Sequence, residues 1–335
     1  MSAHIPRVSV GLPVYNGERY LRSALDSILG QDYPDFELII SDNASTDATP
    51  DICREYAARD ARIRYYRNEH NIGARGNYNR VFELARGEFF KWASHDDVLY
   101  PSLLRRCLET FADSPADTVL VFSKAEIIDD VGNVKAVSAD TVDATLTTPS
   151  GRLASLIFFR CYANPLWGLI KAEALRQTRL MGWIESDHVL LAELAMRGRL
   201  IEMSEILYQQ RRHAGSAIPK HPKRRDLYAW TDPRKGKSAI LLPHWVLCDW
   251  EYFKAIRHAR LSLWQQLLCS SAVLCVPGWR WFLAVTGPVR DRLGLHRKRK
   301  ATEPGMTPKV QLEPAMTNER QMNVYDAKVT RGGNG

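Results

Sequence analysis

Residues 8–12 read VSVGL and residues 36–40 read FELII, two apolar runs that each lead into a polar turn. Between them, residues 20–29 place leucine and isoleucine at helical spacing. An apolar strand, a helix and a second apolar strand in this order predict a βαβ unit, in which the two strands lie parallel. We therefore predict an α/β fold with a doubly wound, mostly parallel sheet flanked by helices.

The same alternation continues through the first two hundred residues. Further strands are predicted over residues 63–66, 88–92, 118–122 and 201–208, further helices over residues 49–59, 77–85, 103–111, 150–159 and 188–196, and a hairpin around residues 129–133. In such a sheet ligands bind beyond the carboxyl ends of the strands. We therefore expect a site in the loops after Leu12, Ile40 and Trp92.

Charge divides the chain into an acidic body and a basic C-terminal part. The 335 residues carry a net charge of +8, yet residues 211–300 hold 19 Lys and Arg against 5 Asp and Glu, and six of the nine tryptophans. Such an excess of positive charge is typical of a protein that binds a polyanionic partner: a membrane surface, nucleic acid or an anionic substrate. We predict an α/β domain over 1–215, a basic helical extension over 216–300 with a loop over 220–237, and a disordered tail over 301–335.

Several features narrow the class of protein. The six cysteines show no paired or metal-ligand spacing and no leader pattern precedes the first strand, so we expect reduced thiols and a cytoplasmic protein. No GxGxxG motif follows a strand, which weighs against a nicotinamide or flavin cofactor. The apolar run over 261–276 is shorter than the roughly 20 residues that a membrane-spanning helix needs.

The strongest local signal is the segment SHDD at residues 94–97, directly after a predicted strand. The adjacent carboxylates of Asp96 and Asp97 repel one another unless a cation lies beside them. Hard divalent cations commonly bind one or two carboxylates together with substrate phosphates. The alternative interpretation is that one of the two caps the helix predicted near Pro101.

A second acidic turn follows the strand that ends at Ile40. It contains Asp42 and Asn43, with Asp47 before the next helix. A carboxylate beside a carboxamide suits the edge of a nucleobase, where an imide N–H needs an acceptor. An Asx turn is the alternative, and it suits Asn43 and Asp47 better than Asp42.

Taken together, the short motifs of this sequence resemble those of family 2 glycosyltransferases in order and spacing. They are PVYNG at residues 13–17, SDNASTD at 41–47, NIG at 71–73 with Asn79, ARGEF at 85–89 and HDD at 95–97. The resemblance covers residues 6–215. It implies the GT-A fold and an enzyme that inverts the anomeric centre of a nucleotide-sugar donor.

The resemblance also implies contacts with the nucleotide-sugar for a set of loop residues: Pro13, Tyr15, Asn16, Asp42, Asn43, Asn71, Gly73, Asn79 and Asp97. Tyr15 would offer an aromatic face to the base, and Asp42 would accept a hydrogen bond from it, as in enzymes that use uridine diphosphate donors. Asp96 matches the last acidic position of the family's D-x-D motif and is expected to bind Mn²⁺ or Mg²⁺. Ser94 stands where the family has the first acidic residue.

The implied reaction needs a general base, because a sugar hydroxyl is a poor nucleophile until its proton is removed. The segment WIESDHVLL at residues 183–191 is similar to the acidic motif of the family. Asp187 matches the base of that motif, and Glu185, in the acceptor and sugar pocket, is the reserve candidate. A helix N-cap is the structural alternative for Asp187.

Two further motifs complete the implied site. The segment QQRRH at residues 209–213 has the spacing of the family's Q-x-x-R-W motif, with His213 in place of Trp. Arg212 would then bind the donor diphosphate, and His213 would add a metal ligand. Trp167 and Gly168 fall where family members shape the sugar and acceptor pocket.

The predicted function is transfer of a sugar from a nucleotide-diphosphate donor, for which UDP is the best guess, to a hydroxyl of a glycan or lipid-linked acceptor in cell-envelope polysaccharide synthesis. One alternative is a nucleotidyltransferase acting on sugar phosphates, although residues 13–17 contain one glycine and no lysine. Another is a nucleic-acid-binding protein, which would leave the acidic strand ends unexplained. We expect no nucleic acid partner.

The basic extension has two interpretations of equal weight. In one, it docks the enzyme as a peripheral protein on the anionic inner face of the cell membrane. In the other, it packs its tryptophans on the catalytic domain and keeps a basic face in water.

Overall fold

The computed structural model describes residues 4–138, 142, 144–159, 164–182, 186–215, 224–232 and 244–275. All of them lie in the compact unit that ends at Trp279. The predicted tail over residues 301–335 and the candidate residue Glu185 lie outside the described residues.

One sheet of nine strands runs through the described part of the chain, in the order β3-β2-β1-β4-β8-β6-β9-β5, with β7 paired to β6. The strands are β1 (Val8–Val14), β2 (Phe36–Asp42), β3 (Ile63–Arg67), β4 (Phe89–Trp92), β5 (Val98–Leu99), β6 (Thr118–Ile128), β7 (Val134–Val137), β8 (Leu169–Lys171) and β9 (Arg199–Arg211).

Strand direction brings the ends of distant strands to one edge. The strand β1 pairs parallel with β2 and β4, β2 pairs parallel with β3, and β6 pairs parallel with β9. The short strand β8 is antiparallel to both β4 and β6. Because two antiparallel steps restore the direction, the carboxyl ends of β1, β2, β4 and β9 all lie at the same edge. The predicted mostly parallel sheet is confirmed.

Helices cover both faces of the sheet. They are α1 (Glu18–Leu29), α2 (Thr49–Arg59), α3 (Gly73–Glu83), α4 (Leu103–Asp113), α5 (Pro149–Phe159), a 3₁₀ turn (Asn164–Trp167), α6 (Ala172–Arg176), α7 (Ser186–Arg197), α8 (Arg224–Thr231), α9 (His244–His258) and α10 (263–275). Leu38 and Ile40 point into the core beneath α1 and α2, whereas Ile39 packs with Val81 and Phe82 of α3. This two-sided burial explains why the parallel strands read as continuous apolar runs.

The predicted loop over residues 220–237 is wrong for residues 224–231, which form α8. The prolines at 222 and 233 and the glycine at 236 flank this stretch and do not interrupt it. Asp226 lies in the first turn of α8, where a negative charge interacts favourably with the helix dipole. Beyond its last turn, Asp232 forms an ion pair with Arg75 of α3 at 3.1 Å.

The extension helices α9 and α10 pack on α5 and α7. Ala255, Ile256 and Ala259 of α9 and Cys269 and Val273 of α10 form one buried cluster with these two helices. Trp230, Trp250 and Trp264 lie exposed, whereas Tyr252 and Phe253 of α9 pack against the edge of this cluster. Within the described residues, no helix is both long and apolar enough to cross a membrane.

Candidate active site

Backbone and side-chain hydrogen bonds lock together the loops that follow β1 and β2. The backbone N–H of Asn16 donates to Ser45 Oγ at 2.9 Å, and Thr46 N–H donates to Asn16 Oδ1 at 2.9 Å. Asn16 has a left-handed φ of 51°, a conformation that asparagine tolerates better than most residues. Tyr15, just before it, is 37% exposed, whereas Pro13 inside β1 is buried.

The same loop contacts the turn after β4. A Cβ atom at Gly17 would lie 2.6 Å from Cδ2 of His95, so only glycine allows this close approach. The Gly17 N–H also donates to Thr49 Oγ1 at 2.9 Å. The loops after β1, β2 and β4 therefore form one continuous surface at the carboxyl edge.

The Asp42 carboxylate is fully buried in a network of protein donors. It accepts hydrogen bonds from Ser45 N–H at 2.9 Å, Tyr65 Oη at 3.0 Å and Arg67 Nε at 3.2 Å. A carboxylate offers about four acceptor positions, so these donors use most of them. In this structure Asp42 fixes the turn after β2, and its contact with a base stays a prediction.

Buried carboxamides join this turn to the start of α3. The Asn43 amide donates to Asn71 Oδ1 at 2.9 Å and to the Gly73 carbonyl at 3.3 Å, while its Oδ1 accepts from Asn68 Nδ2 and Ile72 N–H, each at 2.9 Å. Gly73 has a φ of 80°, as expected for a glycine that turns the chain into a helix. These contacts make Asn43 and Asn71 supports of the loop.

Asn77 is a member of this network that sequence analysis missed. Its side chain accepts a hydrogen bond from Ser41 Oγ at 2.6 Å and donates to the Ser41 carbonyl at 2.8 Å, and Asn68 donates to it at 3.2 Å. A polar residue on the buried face of a helix was the available signal.

Asn79 holds the segment that leads toward α7. Its Oδ1 accepts from Met181 N–H at 3.0 Å and its Nδ2 donates to the Met181 carbonyl at 3.2 Å. Arg75 also donates to the Met181 carbonyl, at 3.0 Å. The Asn79 amide is thus occupied by the backbone two residues before the undescribed segment 183–185.

The acidic turn after β4 meets the end of β9. His213 Nε2 lies 2.9 Å from Asp96 Oδ2, and Asp96 Oδ1 accepts a hydrogen bond from the Ser94 hydroxyl. His213 Nδ1 accepts from Gly215 N–H at 3.1 Å, which orients the ring. Burial works to raise the pKa of Asp96, but the charge on His95 and the contacts with Ser94 and His213 hold it below its ordinary value.

Asp97 faces inward and is held by β9. Its Oδ2 accepts from the Tyr208 hydroxyl and its Oδ1 accepts from Arg211 N–H at 2.8 Å. Burial, followed by the charge of Asp96, raises the pKa of Asp97. The interpretation of Asp96 or Asp97 as a helix cap is wrong, because α4 begins after Ser102 and has no side-chain cap.

Arg211 and Arg212 point in different directions. Arg211 is buried, and its guanidinium donates to the carbonyls of Asp96 at 2.8 Å and Asp129 at 3.0 Å. It thereby ties the acidic turn to the β6–β7 hairpin, a function that sequence analysis missed. Arg212 is exposed, with Nη2 donating to Gln210 Oε1 at 2.9 Å, so its side chain is accessible to a ligand.

Trp167 is half-buried beside the end of β9. Its ring stacks on Tyr208 with centroids 6.0 Å apart, and its carbonyl accepts a hydrogen bond from the fully buried Lys91. A Cβ atom at the next residue, Gly168, would lie 2.5 Å from the Val121 carbonyl, so this position requires glycine. Neither Lys91 nor Tyr208 was singled out from the sequence.

Asp187 lies in the first turn of α7, and its Oδ1 accepts from His188 N–H at 2.9 Å. Burial, followed by the charges of Asp96, Asp97 and Asp187, raises the pKa of Tyr78 of α3. The function of Asp187 as the general base stays a prediction.

Asp96 and His213 have the chemistry of a partial cation site. Among the described residues, no cluster of three or more His, Cys, Asp or Glu side chains has metal-binding geometry. One carboxylate oxygen of Asp96 and, once it exchanges its hydrogen bonds with Asp96 and Gly215, one imidazole nitrogen of His213 suit Mn²⁺ or a similar ion when phosphate oxygens and water complete the coordination. The residues fit a divalent cation that is bound together with a diphosphate.

In α/β sheets of this kind ligands bind beyond the carboxyl ends of the strands, which is where the acidic and amide-rich loops of this protein lie. Residues 9–161 match the family model described as Glycosyl transferase family 2. This match covers 153 of the 335 residues and shows that this part of the chain is similar to the family 2 glycosyltransferases.

Relatives of this chain are also named as glycosyltransferases. The chain is 28% identical over 227 residues to the putative glycosyltransferase EpsH of Bacillus subtilis (65% of this chain and 64% of EpsH). It is 34% identical over 128 residues to the uncharacterized glycosyltransferase RT0329 of Rickettsia typhi (38% and 39%). The first three relatives are matched over 23% to 64% of their own length.

Residues 1–349 of S. aureus TarS, in complex with UDP-GlcNAc, superpose with a TM-score of 0.57 at 19% identity, covering 81% of this chain and 72% of that one. A second structure of the same TarS fragment has a TM-score of 0.51 at 17% identity and covers 87% and 93%. These likenesses establish the GT-A type of fold.

Proposed function

We propose that the protein transfers a sugar from a nucleoside-diphosphate donor, UDP-sugar first among the candidates, to a hydroxyl of a glycan or lipid-linked acceptor, with inversion at the anomeric carbon. The observation that carries the proposal is the meeting of Asp96 and His213 at 2.9 Å. These residues are 117 positions apart and come from two strands that end at the same edge. A cation bound at this partial site would neutralise the negative charge of the donor diphosphate.

Three protein groups bind the donor in this proposal. Tyr15 stacks on the base through its exposed ring, Arg212 contacts the diphosphate, and Asp96 with His213 holds a divalent cation, Mn²⁺ or Mg²⁺. That cation, when bound, neutralises the charge that develops on the leaving diphosphate. The Asn43 and Asn77 network keeps the surrounding loops in place without itself touching the reacting atoms.

Asp187 carries out the proton transfer. Its carboxylate accepts the proton of the acceptor hydroxyl while that oxygen forms a bond to the anomeric carbon. The bond from the anomeric carbon to the diphosphate oxygen breaks, and the electron pair leaves with the nucleoside diphosphate. A single displacement from the opposite face inverts the centre, and no covalent sugar–enzyme intermediate forms.

The acceptor class and cellular setting complete the proposal. EpsH and the Rickettsia relatives are named only as putative or uncharacterized glycosyltransferases, so they do not define an acceptor. A lipid-linked or glycan acceptor in polysaccharide synthesis, met at the inner face of the cell membrane, agrees with the basic extension. In this proposal, Trp167 and Gly168 shape the pocket for the acceptor or the donor sugar.

The test is a panel of nucleotide-sugars incubated with the full chain, with Mn²⁺, with Mg²⁺ and with a chelator. UDP-GlcNAc leads the panel because the TarS fragment was crystallised with it. We expect cation-dependent release of a nucleoside diphosphate from at least one donor. Release of pyrophosphate from a nucleoside triphosphate and a sugar phosphate would instead establish a nucleotidyltransferase and overturn the proposal.

A further inference from the structure

We propose that one face of α10 docks the protein on an anionic lipid bilayer. This apolar face consists of Leu263, Trp264, Leu267, Leu268 and Leu274. The inference deepens the proposed function. It rests on that function in one respect: a transferase with a lipid-linked acceptor needs to approach a membrane. The docking itself is a separate physical property.

The apolar face is exposed along the length of the helix. Leu263 is 80% exposed, Trp264 69%, Leu267 62% and Leu274 68%. Their spacing places them on one side of α10, whereas Cys269 and Val273 on the other side are buried against α5 and α7. The helix is therefore already packed on the domain, and its larger apolar side chains still face outward.

The start of α10 is fixed by its own polar side chains. Ser262 N–H donates to Gln265 Oε1 at 3.1 Å, and Gln266 Nε2 donates to the Leu261 carbonyl at 2.8 Å. Side-chain hydrogen bonds of this kind are typical of a capped helix N-terminus. The orientation that exposes the leucines is thus held by the packing on one side and by these contacts at the end. Contiguous exposed apolar surface of this kind marks an interaction site.

The charge of the neighbouring sequence indicates the occupant. Residues 276–300, which follow α10 directly, carry seven Lys and Arg against one Asp. Lys254 and Arg257 of α9 and Arg260 in the turn before α10 are exposed. Leucine and tryptophan beside clustered positive charge match a bilayer that presents acidic headgroups over hydrocarbon. Two copies of a chain with this excess of positive charge repel one another, which opposes a second copy as the occupant.

The test is co-sedimentation of the full chain with vesicles of phosphatidylcholine containing about one third phosphatidylglycerol. We expect binding at low salt, weaker binding at about 0.5 M salt and little binding to pure phosphatidylcholine. The double variant Trp264→Gln/Leu267→Gln should bind about tenfold or more weakly, because it removes apolar side chains from the bilayer contact. The matched control is Val131→Gln/Val134→Gln, which makes two exposed apolar residues of the β6–β7 hairpin polar and should bind as the unmodified chain does.

Three results would overturn the docking surface. One is the absence of binding to anionic vesicles at low salt, and another is equal binding of the α10 variant and the unmodified chain. The third is a dimer in sedimentation velocity that the α10 variant converts to a monomer, because a second copy would then be the occupant. None of these touches the proposed activity, which the donor panel measures without lipid. A failed panel with intact vesicle binding would reject the transferase and leave the docking surface standing.

Discussion

The two edges of the sheet both contain buried carboxylates, but the charges around them differ. At the amino edge, Glu37 accepts hydrogen bonds from Ser9 Oγ at 2.7 Å, Arg64 at 2.8 Å and Arg86 at 2.8 Å. Burial works to raise the pKa of Glu37, but these donors hold it below its ordinary value. Two guanidinium groups face one carboxylate, so the buried negative charge of Glu37 is fully paired.

At the carboxyl edge two carboxylates, Asp96 and Asp97, are adjacent, and the buried guanidinium of Arg211 donates to backbone carbonyls instead of to them. Asp96 accepts a hydrogen bond from Ser94 and lies 2.9 Å from His213 Nε2. Guanidinium groups therefore pair with the buried carboxylate at the amino edge, whereas two carboxylates are adjacent at the carboxyl edge, where the proposed cation would bind. Variants at the two edges should accordingly affect different measurements.

The largest expected effect is that of Asp187→Asn on turnover. Asparagine keeps an acceptor for His188 N–H in the first turn of α7, so folding should be unchanged. It cannot accept the proton of the acceptor hydroxyl, and we expect transfer to fall by about 10²–10⁴-fold. Donor affinity, measured by calorimetry, should stay within about twofold.

Glu185→Gln is the companion variant, because Glu185 is the reserve candidate for the base. If it abolishes transfer while Asp187→Asn loses less than about tenfold, the base assignment moves to Glu185. Asp187 would then be a cap.

A second effect concerns the carboxyl edge directly. Asp96→Asn keeps a polar side chain beside Ser94 and His213 but removes a negative charge, so cation-dependent binding of nucleoside diphosphate should weaken about tenfold to a hundredfold. Asp130→Asn is the matched control, since it removes a charge at the nearby hairpin where Asp130 pairs with Arg19 at 3.1 Å. Equal Mn²⁺-dependent binding by both variants would show that Asp96 holds no cation.

The contrast between the edges also explains how much of the fold could be predicted. β1 and β2 are buried at every position, which produces unbroken apolar runs in the sequence. β5 has two residues and β8 has three, too few for a periodic pattern, and neither was predicted. The helix α8 was missed because the prolines on either side of it and the many basic residues of this stretch are typical of a loop.

The site was predictable only as far as local motifs extend. Asp96 and His213 were each identified from their own motifs, and the structure brings them together. Arg211 and Tyr208 act through contacts with Asp96 and Asp97 more than 100 residues away, which no single motif records. The neighbouring Arg212 was predicted as a site residue instead of Arg211, because a sequence does not distinguish exposed from buried arginines.

At the amino edge, Glu37→Gln should reduce the free energy of unfolding by about 2 kcal/mol, because Arg64 and Arg86 lose their shared carboxylate while water reaches them in part. A depressed pKa means that the stabilisation is complete above the ordinary range of glutamate, near pH 4.3, and is lost as the pH falls through the folded-state value. Urea unfolding should therefore show the variant and the unmodified protein converging in acid.

Glu88→Gln is the control for this edge. It breaks the exposed ion pair of Glu88 with Arg7, whose atoms are 3.3 Å apart, and should cost less than about 1 kcal/mol. A loss as large as that of Glu37→Gln would mean that burial does not distinguish the two pairs.

The last prediction concerns Lys91, which belongs to neither pattern. In the described part of the chain no carboxylate forms an ion pair with it, and its Nζ lies 5.2 Å from the Tyr208 ring centroid. Burial lowers the pKa of Lys91 to about 8. Below that pH the ammonium is charged in both the folded and unfolded states, and the full cost of burying it is present.

As the pH rises through 8, the folded protein releases this proton while the unfolded chain keeps it until about pH 10.4, so stability should rise over that interval. Lys91→Met should remove this rise, which is on the order of 3 kcal/mol at most. Lys171→Met is the matched control, because Lys171 also donates to a carbonyl, that of Ala116 at 3.0 Å, and lies over the Phe111 ring, but at the surface. Urea unfolding between neutral pH and about pH 10 decides the matter. If the free energy of unfolding of Lys91→Met rises with pH as much as that of the unmodified protein, the charge of the Lys91 ammonium is compensated in the folded state. The unpaired charge is then confined to the acidic turn.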